Sequence, residues 1–173
     1  MEILLEIIKY TLPALIVFLT TYFILKQLLR NQQQIKLMSF KKETQQITLP
    51  LKLQAYERLT LFCERSALQN IILRIRSESM SASDLHLAIL VAMQKEYEHN
   101  VAQQVYVSPE LWEIINLAKN ETLNIVNKVV RELPENATGL DLSRAIFEFE
   151  KTLPVNPLQK ALLGIKKEAS KYM

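Results

Sequence analysis

The residues best equipped for chemistry sit close together, at Glu96, His99, Asn100 and Gln103. Their offsets of three, four and seven place them on one face of a helix. An acid, an imidazole and two amides make a stripe that both donates and accepts hydrogen bonds. Tyr97, Tyr106 and Trp112 add aromatic rings with polar tips around it. Three uses are open to this segment: a solvated helix face with its aromatics turned inward, a buried polar network fixing a corner between helices, or a contact for a ligand or partner.

Other chemistries find less to work with. Glu96 and His99 form one Glu-x-x-His pair, the half-motif that di-iron carboxylate bundles use twice. The second copy is missing, because Ser83 stands three residues before His86. His86 and His99 are the only histidines, and 13 residues at ~100° each set them some 140° apart around a helix. They cannot share a metal from one helix face. The sequence carries no glycine-rich phosphate loop, no Gly-x-Ser-x-Gly and no Cys-x-x-Cys. The lone cysteine, Cys63, lies in an apolar helical pattern, so it forms no internal disulfide and reads as a buried thiol. No catalytic residue, cofactor site or metal ligand is assigned, and the expectation is a protein that is not an enzyme.

The elements that position these residues are helical. Only two glycines, Gly139 and Gly164, occur in 173 residues, while Leu, Ala, Glu, Lys and Gln abound. Pro50 is expected in the first turn of a helix striped by Tyr56, Leu59, Phe62, Cys63, Ala67, Ile71, Ile72 and Ile75. That helix should break at the serine-rich stretch Ser77 to Ser83. Ser81 with Asp84 resembles a capping box and opens the helix bearing the polar stripe. Ser108 with Pro109 starts a third helix, which stops at Pro134; Thr138 caps a fourth and Asn156 with Pro157 opens a fifth. The predicted fold class is all-α, an antiparallel bundle of about five helices over 49–173.

The first part of the chain reads differently. Tyr10 to Leu25 carries no charge, and the apolar pattern reaches back to Ile3 with only Glu6 and Lys9 interrupting. As a helix, residues 3 to 25 would rise about 35 Å, enough for a hydrocarbon core of ~30 Å, although the uncharged part alone rises only about 24 Å. Glu6 and Lys9 can pair, Lys9 and Lys26 would snorkel outward, Tyr10 and Tyr22 suit interfacial depths, and Pro13 would give a tolerated kink. The expectation is a single transmembrane helix at 1–29, followed by a basic, glutamine-rich juxtamembrane linker at 30–48. Lys26, Arg30, Lys36, Lys41 and Lys42 flank the span on its C-terminal side and would meet anionic lipid. By the positive-inside rule the N-terminus faces out and the domain faces the cytoplasm. Leu28, Ile35 and Met38 fall near one face of the linker, too short a stripe to argue a coiled coil.

Charge distribution bears on partners. Residues 1–42 hold six basic and two acidic groups, so the chain's +3 belongs to this segment and the remainder carries −1. A nearly neutral domain lacks the footprint that binding a phosphate backbone requires, which excludes nucleic acid as the expected partner. The expected partners are a lipid bilayer and another protein, or a second copy of the chain.

The segments PLKLQAYERLTLFCER (Pro50 to Arg65) and EYEHNVAQQVYVSPELWEIINLAK (Glu96 to Lys119), behind an apolar N-terminal helix, resemble a family of short membrane-anchored proteins from Bacteroidetes whose function is uncharacterised. The resemblance implies a bacterial inner-membrane setting and supplies no active site. The functional expectation is a membrane-tethered helical scaffold or protein-interaction module. Its rivals are an accessory subunit of a larger inner-membrane complex, with Thr20, Thr21 and Pro13 facing a neighbouring span, and a ligand-binding protein or enzyme built on Glu96, His99, Asn100 and Gln103.

Overall fold

Where the sequence places helix starts after residue 76, the backbone follows. The computed structural model describes residues 2–172, with the side chains of 2–11, 13, 14 and 41 outside the described set. The helices are α1 (Glu2–Ser66), α2 (Leu68–Ile75), α3 (Ala82–Asn100), α4 (Pro109–Arg131), α5 (Gly139–Thr152) and α6 (Pro157–Ala169), with a 3₁₀ turn at Val101–Val105. The protein is all-α, and among the described residues the only β-type pairing is an isolated bridge between Ser81 and Thr138.

Two compact units divide the chain, Met1–Thr48 and Leu49–Met173. In the first, the described residues are all helical and belong to α1. The expected anchor at 1–29 is overturned, and with it the single-pass topology, the inner-membrane location and the inward-facing domain. Among the described residues no helix is long and apolar enough to cross a membrane. The uncharged run is about 24 Å long at ~1.5 Å per residue, against ~30 Å of hydrocarbon. Lys26, Arg30 and Lys36 then follow on the same unbroken helix. The expected Glu6–Lys9 pair, the depth of Tyr10, the outward reach of Lys9, the packing of Pro13 and the flanking role of Lys41 concern side chains outside the described residues.

The linker expected at 30–48 is helix as well, and so is Pro50, which lies inside α1 rather than at a start. Gln, Lys, Leu and Glu on both sides favour the helix, and no glycine interrupts it. Gln46, whose carbonyl Pro50 cannot bond, is exposed and can be hydrated.

In the second unit α1 ends at Ser66, and extended Ala67 (φ −56°, ψ 130°) separates it from α2. The Asn70 side-chain amide donates to the Glu64 carbonyl at 2.7 Å, satisfying one group left open at that end. Two helix–loop–helix pairs follow, α2–α3 and α4–α5. Ser81 and Thr138 each cap their helix by accepting from the amide of the Asp three residues on, Asp84 and Asp141, and their own amides donate in return to that Asp side chain. The two loops are stitched together by Ala82 N–H to Ala137 O at 2.9 Å and Gly139 N–H to Met80 O at 2.8 Å. A Cβ on Gly139 would stand 3.1 Å from the Met80 carbonyl oxygen, which explains glycine at that contact.

Two apolar clusters hold this unit. Leu68, Ile71 and Ile72 of α2 pack with Leu85, Ile89 and Met93 of α3, Ile125, Val126 and Val129 of α4, and Leu142 and Ile146 of α5. The other cluster joins Tyr56, Leu59, Phe62 and Cys63 of α1 to Leu111, Ile115 and Ala118 of α4 and to Leu158, Ala161 and Ile165 of α6. α4 serves both, its first half in one and its second half in the other. Between them Thr122 is buried, its hydroxyl donating back to the Ala118 carbonyl at 2.7 Å.

Candidate functional site

Of the polar stripe, Glu96, His99 and Asn100 line one cleft of about 390 Å³, opposite Gln54, Glu57, Arg58 and Arg65 of α1. Glu96 is its best-connected member. Arg65 Nε donates to both carboxylate oxygens at 3.0 and 3.1 Å, and Arg65 Nη2 adds a third bond at 2.8 Å. Arg74 on α2 approaches the same carboxylate at 3.4 Å. The Glu96 side chain is 12% exposed, so the two guanidinium groups take up most of its reach. This arrangement fastens α1 and α2 to α3 across the break at Ala67.

The other stripe residues have separate surroundings. Asn100 donates to the Glu96 carbonyl one turn back at 2.7 Å, a local helix contact. Gln103 falls on the 3₁₀ turn, where its carbonyl accepts from the Tyr106 amide at 3.0 Å, and Tyr106 is exposed. Trp112 stacks on Tyr97 with ring centroids 5.7 Å apart, and Tyr97 meets Phe62 edge-on at 6.3 Å. Tyr97 also donates to Asn116 at 2.8 Å and lies under Lys119 at 4.0 Å. Tyr97 and Trp112 are therefore packing residues of the second cluster, and the stripe splits into a cleft, a turn and an aromatic stack.

His86 is bonded to Asn127 on α4 at 2.7 Å, far from His99 in role as well as in angle. Cys63 is buried; desolvation, with a smaller contribution from Glu64, pushes its thiol up to about 12. A thiol held protonated in this way is a poor nucleophile. Among the described residues no group of three or more His, Cys, Asp or Glu side chains could hold a metal. Of the basic residues flanking the apolar run, Lys26 lies over the Tyr22 ring at 5.7 Å, while Arg30, Lys36 and Lys42 are exposed.

A buried polar network, one of the three uses open to the Glu96 segment, is found at Glu168. This α6 carboxylate accepts from the Ser108 amide at 2.9 Å, from the Ser108 hydroxyl and from the Tyr56 hydroxyl at 3.1 Å. Ser108 meanwhile caps α4 by accepting from the Leu111 amide at 3.1 Å. Burial pushes the Glu168 carboxyl up, yet the bonds from Ser108 and Tyr56 outweigh it and hold the carboxyl below its ordinary value. The signal in the sequence was its position: Glu168 stands seven after Ala161 and three after Ile165, on the apolar face of α6. An acid on a buried face implies a partner.

A model of a family of unknown function (DUF7935) matches residues 2–172. The chain belongs to this family. The match takes in the apolar part of α1 and both helix–loop–helix pairs, so family membership covers both units. No curated protein and no solved structure matches.

Proposed function

We propose that the chain is a helical scaffold or protein-interaction module, in which the described apolar stretch of α1 presents the surface a protein partner covers. The observation that carries this reading is the exposure of that stretch. From Leu12 to Ile47 every large apolar side chain described is 44–70% exposed, among them Phe18, Phe23, Ile24, Leu28, Ile35 and Met38. Covering such a side chain completely is worth ~1.5–3 kcal/mol. Contiguous apolar patches on this scale mark interaction surfaces rather than ordinary protein exterior. The polar cleft supports a structural role instead, since Glu96 is engaged by two arginines.

The test is sedimentation of the full-length protein in a native cell extract, read by antibody. The wild type should travel faster than a 20.1 kDa monomer, and the double substitution Ile24→Glu with Ile35→Glu should slow it to monomer size. A wild-type chain travelling as a monomer would overturn the reading.

A further inference from the structure

We propose that the occupant of this surface is a second copy of the same chain, packed parallel and in register along Val17 to Met38. The inference rests on the interaction-module reading and names its partner. Because α1 continues without a break through Lys26 and the glutamine-rich stretch, the apolar stripe of residues 28–38 is continuous with that of residues 17–24. Together they form three heptads: Thr21, Leu28 and Ile35 at one seam position, with Val17, Ile24, Asn31 and Met38 at the other. Val17, Ile24, Leu28, Ile35 and Met38 are 52–70% exposed, so the seam is unoccupied within one copy.

Charge placement is compatible with a second copy and disfavours an acidic helix. Between Val17 and Phe40 the described charges are Lys26, Arg30 and Lys36, and all three fall at the outward positions of that heptad. The positions flanking the seam are Phe18, Thr20, Leu25, Gln27, Gln32, Gln34 and Ser39, without charge. Two copies can therefore approach with no like-charge contact across the seam, whereas an acidic partner helix would find no cation beside it.

Asn31 sets direction. In a parallel pair it faces the Asn31 of the other copy, and each amide can donate to and accept from its counterpart. In an antiparallel pair the two seam positions face each other, so Asn31 would meet Thr21 or Leu28 instead of its own counterpart, and opposite Leu28 its amide would be buried without a partner.

The test uses purified full-length protein carrying one new cysteine at a time, oxidised with a glutathione couple. The native Cys63 is buried and does not compete. Ile24→Cys and Ile35→Cys should each give disulfide-linked dimers at least about fivefold more readily than Lys36→Cys, because only same-residue pairs along a parallel seam bring Cβ atoms to the ~3.5–4.5 Å a disulfide needs. Equal yields at Ile35→Cys and Lys36→Cys, or no dimers at either seam position, would overturn the pairing. If the purified chain is monomeric while the extract still shows a larger assembly, this inference fails and the interaction-module reading stands with a different partner.

Discussion

The two units of the chain treat the same kinds of side chain in opposite ways. In Leu49–Met173, Phe62, Leu59, Ile89, Met93, Ile115 and Leu142 are each at most 1% exposed, whereas in Met1–Thr48 no described large apolar side chain is less than 44% exposed. The second unit completes its own cores. The first has helix-forming residues, and its described large apolar side chains are exposed. Buried core and exposed apolar side chains are thus separated along the chain, and the same residue type should give different readouts on either side of Thr48.

The largest effect expected of that contrast comes from paired phenylalanine truncations. Phe62→Ala should cost the folded unit about 3–5 kcal/mol, the usual range for an aromatic side chain removed from a core. Phe18→Ala should leave denaturant unfolding of the same unit within about 0.5 kcal/mol of wild type, as for a surface site. Trp112, the only tryptophan, stacks on Tyr97 in the second cluster and makes fluorescence a specific reporter of that unit. An equal loss from both substitutions would erase the distinction.

Next in size is Glu168→Ala, which strips the shared acceptor from Ser108 and Tyr56 and should cost about 2–3 kcal/mol. The same residue predicts a pH dependence. Its carboxyl lies below the ordinary value in the folded state, so its contribution is fully present above the unfolded value of 4.5 and is lost as pH falls through the lowered folded value. Glu168→Gln should therefore flatten the acid limb of the stability curve; an unchanged limb would show that the carboxylate does not carry it.

Thr138→Ala removes one local cap and should cost about 1 kcal/mol, less than Glu168→Ala. The smallest effect has the opposite sign. Burial raises the Glu150 carboxyl, outweighing the 2.7 Å bond from Asn156, so charging it in the folded state is unfavourable. Its penalty grows as pH rises from 4.5 toward the raised value, and Glu150→Gln should be neutral to slightly stabilising at pH 7. A melting curve that fell with this substitution would show that the carboxylate is needed as a charge.

What was legible in the sequence depended on the range of the interaction. The starts at Ser81, Thr138, Ser108 and Asn156 are written within four residues of themselves, and the amphipathic stripes of α4, α5 and α6 announce their buried faces. The continuity of α1 was obscured by Pro50 and by the change from apolar to glutamine-rich composition at Lys26. Neither stops a solvent-exposed helix made otherwise of good helix formers. At the candidate site, Glu96, His99 and Asn100 of the predicted stripe line one cleft while Gln103 lies on the 3₁₀ turn, and the partners of Glu96 come from distant residues. Arg65 lies 31 positions before Glu96, and Glu168 lies 60 after Ser108. Periodicity can flag Glu168 as an acid on an apolar face, but it cannot say which distant residue answers it, and Arg65 and Glu96 look like ordinary surface charges within their own helices.

Pairing of two copies would cover residues 17–40. Amide hydrogen exchange of the purified full-length protein, measured at increasing concentration, tests it most directly. Protection across 17–40 should rise with concentration while that of the cores around Phe62 and Ile89 stays constant; uniformly fast exchange across 17–40 at every concentration would contradict it.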